Sequence, residues 1–404
     1  MRDTDLMQLA LGLGAPWRVK ACTFDADARR LDIEIDFARG SRFPCPACAR
    51  VACPVHDTSM QEWRHLDFFQ HQAYPHARTP RITCPDCGVK QINVPWARPG
   101  SGFTLLFEAL AMTLMTAMPV AAAARLIKEH DTRMWRVLHH WVEEARKRAD
   151  YAEVRRVAID ETAARRGHDY VSLFVDLDQR RVLFVTEGRG ADTVAAFADD
   201  LEAHNGDASH VKQVCIDMSG AFIKGVTENL TEAAITFDKF HAVKLVNDAV
   251  DKVRRAESKG RPELKRSRYL WLRNEPSLSA ANRGRLQALT RLHLKTARAY
   301  QLRLAFQEIY QQPTRDWGAL FLDRWYGWAI RSRLEPIKDT ARTIKKHRDG
   351  ILNWFDSSIA NGLIEGINSL VQAAKAKARG YRSTRTLKAI TYLLAGKLDL
   401  RLPT

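Results

Sequence analysis

Residues 154–160 read VRRVAID and residues 211–217 read VKQVCID, so each is a short apolar run that closes on an aspartate. Runs of this length rich in β-branched residues predict buried strands. Two such strands can place Asp160 and Asp217 side by side at one sheet edge. Like charges that close destabilise each other unless a cation lies between them. Strand-end aspartates are also common as helix N-caps, so the two runs alone leave both interpretations open.

The pattern around these runs predicts a mixed sheet covered by helices. Three short strands follow one another from residue 154 to residue 186, and helix and strand then alternate as far as residue 255. A meander followed by alternating elements is typical of such a sheet. From residue 259 onward the periodicity is almost entirely helical.

A third carboxylate stands at the head of a basic helix. Residues 358–382 read SIANGLIEGINSLVQAAKAKARGYR, and Glu365 falls in the first turns of the predicted helix. No acidic residue occurs between Gly366 and Lys388, whereas a solvated helix normally mixes both signs. We therefore expect Glu365 to close a metal site while the rest of the helix lies along DNA phosphates. The predicted contacts are Lys375, Lys377, Arg379, Arg382 and Arg385.

Two cysteine pairs predict a structural zinc site. Cys45 and Cys48 form one C-x-x-C knuckle, and Cys84 and Cys87 form the other. Two thiolate pairs complete the tetrahedron that zinc prefers. The segment 53–56 (CPVH) offers a further cysteine and histidine, so its part in metal binding stays open. The seven cysteines and the absence of a signal-peptide pattern favour a reducing compartment over disulfides.

Between the cysteines and the sheet, residues 119–128 and 131–148 have the pattern of a helix-turn-helix. We expect Trp135, Leu138 and Val142 to form the buried face of the second helix. An ordinary helical hairpin is the alternative. The side chains left to face a major groove are Arg133, Arg136, His139 and His140. The preceding apolar segment, 104–124, predicts two buried helices broken at Pro119 and not a membrane span.

The charge indicates a polyanionic partner. Sixty-three Lys and Arg against forty-seven Asp and Glu give a formal net charge of +16 and a pI near 9.7. Residues 251–300 alone carry fourteen basic and four acidic side chains. Nucleic acid is the usual partner of so basic a chain, and a merely solubilising surface is the alternative. We expect a cytoplasmic protein without contact with a membrane.

At these residues the chain resembles a known family. Asp160, Asp217 and Glu365 lie within the signatures AIDE, CIDMSGAF and NGLIEGINSL, and FDKFH ends at His241. Together they resemble the DDE transposases of bacterial insertion sequences, of the ISL-three type. The resemblance implies that the three carboxylates bind Mg²⁺ (or Mn²⁺) and that His241 supports catalysis near the scissile phosphate.

The resemblance also implies an α+β multidomain fold. In it, a zinc ribbon and a helix-turn-helix precede an RNase-H-like mixed-sheet catalytic core that is interrupted by a large all-helical insertion. We place the boundaries at 1–100 for the DNA-binding domain, in which a β-hairpin precedes the zinc ribbon, 101–150 for the helix-turn-helix, 151–256 for the first part of the core, 257–356 for the insertion and 357–404 for the C-terminal core helices.

Three residues carry more specific expectations from the resemblance. Relatives often have a basic residue two turns after the glutamate, where this chain has Gln372, and Lys375 lies almost a quarter turn off that face. Trp271 resembles an insertion-domain tryptophan that stabilises a flipped base, although a core tryptophan is the stronger interpretation. Glu161 is expected to point away from Asp160 because side chains alternate along a strand.

The function implied is Mg²⁺-dependent cleavage and strand transfer of double-stranded DNA at terminal inverted repeats and target sites, by a homodimer or larger assembly. One alternative is a catalytically silent DNA-binding regulator derived from a transposase. Another is a structure-specific nuclease without strand transfer.

Overall fold

The computed structural model describes residues 2–165, 169–357 and 362–403. The chain forms two compact units, residues 1–145 with 399–404 and residues 146–398. Each unit has its own sheet and core, and each is described by itself.

The first unit is built on a six-stranded sheet. Helix α1 (Asp3–Ala10) precedes strands β1 (Trp17–Asp25), β2 (Arg30–Phe37), β3 (Arg42–Phe43), β4 (Cys53–Glu62), β5 (Gln72–Cys84) and β6 (Gly88–Gln91). Their order is β1-β2-β5-β4-β3, with β6 paired to β5. Strands β1 and β2 pair antiparallel with Asp25 opposite Arg30, which confirms the hairpin predicted before the cysteine pairs.

Aromatic side chains fill the core of this sheet. Burial alternates along β2 because successive side chains point to opposite faces, and Leu31, Ile33 and Ile35 face inward. The Trp17 ring meets the edge of the Trp96 ring at a centroid distance of 4.9 Å. The two cysteine knuckles lie at the turns that follow β3 and β5.

Three helices complete the first unit. They are α2 (Leu105–Ala117), α3 (Val120–Leu126) and α4 (Asp131–Lys147), and the first two are separated at Pro119 as predicted. Proline lacks the amide proton and fits at a helix start. No helix of the described residues combines the length and apolarity needed to cross a membrane.

The buried face of α4 differs from the predicted one. Met134, Val137 and Leu138 are buried, whereas Trp135 is only half-buried. The i, i+3, i+4 spacing selects Met134 because it shares a face with Leu138, and Trp135 lies about 100° around the helix from Met134. The prediction of Trp135 as a core residue was therefore wrong, and those of Leu138 and Val142 are confirmed.

The second unit holds a five-stranded mixed sheet. Its strands are β7 (Arg156–Ala163), β8 (Tyr170–Asp176), β9 (Arg181–Glu187), β10 (Gln213–Ile216) and β11 (Ala234–Phe237). The order is β11-β10-β7-β8-β9. Strands β7, β8 and β9 are antiparallel neighbours, and β10 runs parallel to both β7 and β11. This arrangement is the RNase-H-like sheet expected from the sequence.

Helices surround this sheet. Helices α5 (Asp192–Glu202) and α6 (Gly220–Asn229) flank β10, and α7 (Lys239–Glu257) follows β11. The helical region continues with α8 (Arg268–Leu272), α9 (Ala280–Thr290), α10 (Lys295–Glu308), α11 (Arg315–Ile330), α12 (Glu335–Lys346) and α13 (Arg348–Ser357). One apolar core runs from the sheet into these helices. The boundaries at 256 and 356 remain predictions.

Two helices close the described chain, where the sequence predicted one continuous basic helix. They are α14 (Gly362–Lys377) and α15 (Thr384–Ala395). Between them Gly380 has φ +95° and donates its amide to the Lys375 carbonyl at 2.8 Å. A glycine in this conformation ends a helix without steric cost. The basic residues predicted on one helix therefore lie on two helices and their connection.

A buried polar network stabilises the second unit. Arg146 donates to the Tyr392 hydroxyl at 2.7 Å and to an Asp200 carboxylate oxygen at 2.7 Å. The same hydroxyl accepts the Val185 amide at 2.9 Å, which ties α15 to β9. Buried charges are tolerated when they are paired in this way.

Candidate active site

Asp160 and Asp217 meet through strand register. Strands β7 and β10 are parallel, with Gln213 opposite Arg156 and Cys215 opposite Ala158. Continuing this register by two residues sets Asp217 opposite Asp160. Asp217 directly follows β10, and its Oδ1 accepts the Ser219 amide at 2.9 Å. The negative charge of Asp217 acts on the pKa of Asp160, which agrees with this extrapolated register.

Asp160 does not end its strand, contrary to the sequence prediction. Strand β7 continues to Ala163 because Glu161, Thr162 and Ala163 pair with the first residues of β8. The Asp160 carboxylate therefore projects from a part of β7 that is still paired with β8, opposite Leu173. Its Oδ1 accepts the Glu161 amide at 2.8 Å.

The environment of Asp160 disfavours its negative charge. Burial raises the pKa of Asp160 to about 6, and the neighbouring negative charges of Asp217 and Asp238 add to the rise. The Glu161 amide and His241 act in the opposite direction. A carboxyl group so placed gains from any cation that binds beside it.

His241 belongs to the same cluster. Its Nδ1 lies 2.8 Å from Oδ2 of Asp238, a buried carboxylate that also caps α7 by accepting the Phe240 amide at 2.9 Å. This hydrogen bond raises the pKa of His241, and the charges of Asp160 and Asp217 raise it further. Asp238 appeared in the sequence only as the first letter of the DKFH motif, and the structure identifies it as the partner that orients His241.

Helix α14 runs along the second half of β7. Asn368 donates Nδ2 to Asp160 Oδ2 at 2.7 Å, and Gln372 donates to Thr162 Oγ1 at 2.7 Å. Lys375 donates Nζ to the Ala163 carbonyl at 2.7 Å. Lys375 lies off this face by its helical spacing, and its long side chain nevertheless reaches β7. Sequence reasoning missed Asn368 altogether.

Glu365 lies in the first turn of α14 and is exposed. It is one turn before Asn368 and therefore on the helix face that contacts β7. The preceding segment 358–361 falls outside the described residues. Within the described ranges, the groups of three or more potential metal ligands with ligand atoms within 4.8 Å are the four knuckle cysteines and Asp32, Glu62 and His76. The place of Glu365 in a triad remains a prediction.

Glu161, which strand alternation predicts to point away from Asp160, still interacts electrostatically with the acidic cluster. Its carboxylate lies 3.8 Å from Arg189 Nη1. Burial raises the pKa of Glu161, Arg189 opposes this effect, and the charge of Asp217 contributes to the rise. Glu161 therefore adds to the negative potential at this edge while Arg189 balances part of it.

The four knuckle cysteines converge in the first unit. Ligand atoms of Cys45, Cys48, Cys84 and Cys87 lie within 4.8 Å of one another, and Cys48 Sγ is 3.6 Å from Cys84 Sγ. The amides of Cys48 and Ala47 point at the Cys45 sulfur and lower its pKa to about 7. Four convergent thiolates are the donor set of structural zinc. Cys53 and His56 are not part of this group, and whether they bind zinc stays open.

Three segments of the chain match models of known protein families. Residues 157–391 match the family model described as "Transposase" of the DDE ISL3 type. The chain belongs to the ISL3 family of DDE transposases. Residues 92–142 match the helix-turn-helix domain of transposase family ISL3, and residues 41–87 match the zinc-finger of the transposases of IS204, IS1001, IS1096 and IS1165.

Curated relatives agree with this membership over nearly the whole chain. The transposase for insertion sequence element IS1557 of Mycobacterium tuberculosis is 28% identical, with 98% of this chain and 96% of the relative covered. The transposase for IS1001 of Bordetella parapertussis is also 28% identical, with 84% and 85% covered. The zinc-ribbon and helix-turn-helix interpretations of the sequence are confirmed by these matches.

In this ISL3 family member the side chains predicted to contact DNA from α4 differ in availability. Arg133 is engaged within the protein, since it contacts Glu129 at 2.5 Å and its guanidinium carbon lies 4.0 Å from the Phe103 ring centre. Arg136 is exposed, whereas His139 and His140 are half-buried. Arg136 therefore has the freest access to a groove, and all four contacts remain predictions.

The basic residues after α14 are exposed in this family member. Lys377, Arg379, Arg382 and Arg385 face solvent, whereas Lys375 is half-buried against β7. Trp271 is fully buried, and its indole N–H donates to Ser267 Oγ at 3.1 Å. The core interpretation of Trp271 is confirmed, and the base-stabilising one was wrong.

Proposed function

We propose that this protein binds the terminal inverted repeats of an insertion sequence, cleaves the DNA at the element ends and transfers the freed 3′ ends to a target. The observation that carries the proposal is the parallel register that sets Asp217 opposite Asp160. The raised pKa of Asp160 adds to it, because the site favours a bound cation over isolated negative charge.

The donor chemistry at this edge fits Mg²⁺ or Mn²⁺. Asp160 and Asp217 offer carboxylate oxygens, the hard ligands that these ions prefer, and the proposed third ligand is Glu365. The knuckle thiolates are instead suited to zinc. Divalent ions held by these residues would stabilise the negative charge that develops on the attacking and leaving oxygens of the phosphodiester.

The protein's own residues position the reactants. Asp160 and Asp217 hold their carboxylates at one sheet edge, and α14 brings Glu365 to it. His241, held by Asp238, stands beside this cluster with its pKa raised, so it can donate a proton or hydrogen bond to a phosphate oxygen. In the first step water attacks phosphorus and the 3′ oxygen leaves. In the second, that 3′-hydroxyl attacks a target phosphodiester and the target's 3′ oxygen leaves.

The remaining domains are proposed to supply recognition. The zinc ribbon and helix-turn-helix bind the terminal repeats, and phosphate contacts from the exposed basic residues after α14 set affinity and its salt dependence. Two ends must be held together, so we propose a dimer or larger assembly on DNA. The site of action would be the bacterial nucleoid, in the cytoplasm.

The test uses a supercoiled plasmid that carries this gene with its native flanks. Purified protein with Mg²⁺ is compared with Asp217→Asn and with Asp178→Asn. Asp178 is a matched control because its carboxylate only pairs with Arg156 at the surface of the same sheet. We expect breaks with 3′-hydroxyls at fixed flank positions with wild type and Asp178→Asn, and none with Asp217→Asn.

The fate of the ends separates the alternatives. Joining of the 3′ ends to new DNA supports the transposase, and release without joining would instead indicate a nuclease. Tight, salt-sensitive binding of the flanks with no breaks in either Mg²⁺ or Mn²⁺ would overturn the proposal in favour of a regulator.

A further inference from the structure

Asn368 occupies a position that the proposed triad does not use. It lies on α14, one turn after Glu365, and its Nδ2 donates to Asp160 Oδ2 at 2.7 Å. The two residues are 208 positions apart in the chain. The hydrogen bond therefore joins the helix that carries the third proposed carboxylate directly to the first.

Neighbouring contacts fix the register of this helix. Gln372 donates to Thr162 Oγ1 at 2.7 Å and to the Ala163 carbonyl at 3.1 Å. Lys375 reaches the same carbonyl at 2.7 Å. These two residues hold α14 against β7 without help from Asn368, so a role in docking the helix does not by itself explain Asn368.

The other end of the Asn368 carboxamide is unusual. Its Oδ1 is buried, and no residue of the described ranges donates a hydrogen bond to it. A buried acceptor without a donor is costly, so it normally indicates a bound water or ion. The Oδ1 and Nδ2 atoms share one carbon, which keeps Oδ1 within about 5 Å of the Asp160 carboxylate oxygen that Nδ2 contacts.

The charges around Asn368 Oδ1 favour a cation as its partner. The surrounding groups include the carboxylates of Asp160 and Asp217, whose negative charges already repel each other. A neutral amide oxygen is a hard ligand, common in sites for divalent cations, and it adds a donor atom without adding to that repulsion.

We propose that Asn368 is a further residue of the metal site. Its Nδ2 fixes the orientation of the Asp160 carboxylate, and its Oδ1 serves as an oxygen ligand for the divalent cation. This inference rests on the proposed metal site at Asp160 and Asp217 and adds a residue to it.

The test measures Mn²⁺ affinity without DNA or turnover. Mn²⁺ is titrated into the full zinc-loaded chain, and the free ion is followed by its electron paramagnetic resonance signal. Asn368→Ala removes both amide functions, and Asn368→Asp restores an oxygen ligand but no donor. Ser369→Ala is the matched control, because Ser369 is the next residue of α14 and its side chain is exposed. Zinc content and circular dichroism establish that each variant is folded.

We expect Asn368→Ala to raise the Kd for Mn²⁺ about 10-fold or more, the usual effect of removing a supporting group at a metal site. Asn368→Asp should bind Mn²⁺ within about threefold of wild type or more tightly, and Ser369→Ala should change the Kd less than twofold. Equal affinity of Asn368→Ala and wild type would overturn the inference. So would an Asn368→Asp variant as weak as Asn368→Ala, since the amide would then act only as a donor.

The two failures are distinguishable. If wild-type protein shows no Mn²⁺ site that Asp217→Asn abolishes, the proposed metal site fails and the inference fails with it. If that site is present and Asn368→Ala leaves it intact, only the role of Asn368 is refuted.

Discussion

Neutralising Asp160 should stabilise the protein while removing its proposed activity. The pKa of this carboxyl is raised from its ordinary 3.8 to about 6 because it is buried among other acidic groups. At pH 7.5 the folded protein therefore holds an ionised group that would be more stable in the unfolded chain. Asp160→Asn removes that charge and keeps the shape of the side chain. Its Oδ1 can still accept the Glu161 amide, and its Nδ2 can donate to Asn368 Oδ1 once that carboxamide turns over.

The magnitude follows from linkage. A pKa difference of this size corresponds to at most about 3 kcal/mol at neutral pH, and partial exposure to water reduces the expected gain to about 1–2 kcal/mol. Because the folded pKa is raised, the destabilisation is absent below about pH 4, develops between pH 4 and 6 and is constant above pH 6. The difference in free energy of unfolding between Asp160→Asn and wild type should therefore be roughly half as large at pH 5 as at pH 7.5.

The assay is urea-induced unfolding at pH 7.5 and pH 5, followed by tryptophan fluorescence, with zinc retained and no Mg²⁺ or Mn²⁺ added. Asp176→Asn is the control. Asp176 is a buried aspartate of the same sheet, but its Oδ1 accepts the amides of Asp178 and Gln179 at 2.9 and 3.0 Å. Neutralising it should cost about 1–2 kcal/mol. The reasoning is refuted if Asp160→Asn is less stable than wild type at pH 7.5, or if its advantage does not shrink at pH 5.

Three further predictions concern zinc, the buried network and DNA. Cys84→Ser should release zinc, seen with a chromogenic chelator, whereas Cys53→Ser should keep it; zinc loss from Cys53→Ser would contradict the four-cysteine site. Arg146→Leu should lower the free energy of unfolding by about 3–5 kcal/mol, because the Asp200 carboxylate would remain in the protein without Arg146 to pair with it. A loss below about 1 kcal/mol would show that this ion pair is dispensable for stability. Arg382→Ala should reduce the salt slope of DNA binding by about one, whereas Lys375→Ala should leave it unchanged; the reverse order would refute the assignment of Lys375 to β7.

Local patterns predicted the parts of the fold that depend on local geometry. The cysteine knuckles converge as their two-residue spacing indicated, and Pro119 separates α2 from α3. The end of α14 also had a local signal, because Gly380 is the residue type that favours a left-handed helix terminus. That signal was available in the sequence and was outweighed by the continuous run of basic residues.

Contacts between distant segments were not predictable in this way. Asn368 is one polar residue in a helical run, and only the docking of α14 on β7 gives it a role. Lys375 was assigned to DNA on charge alone, yet its ammonium group reaches a backbone carbonyl of the protein. A charged side chain long enough to span an angular offset cannot be assigned to solvent or to a partner from helical periodicity.

The part of β7 beyond Asp160, which was not predicted as strand, is the part that contacts α14. Strand β7 was predicted to stop at Asp160 because the apolar run ends there, and Glu161 and Ala163 do not favour strands. They are extended because they pair with the start of β8. That extension presents the Thr162 hydroxyl and the Ala163 carbonyl to Gln372. If β7 ended at Asp160, these acceptors would lie elsewhere and α14 would lose the contacts that set its register. The antiparallel pairing beyond Asp160 is therefore a condition for bringing Asn368 to Asp160, and the proposed role of Glu365 depends on the same docking of α14.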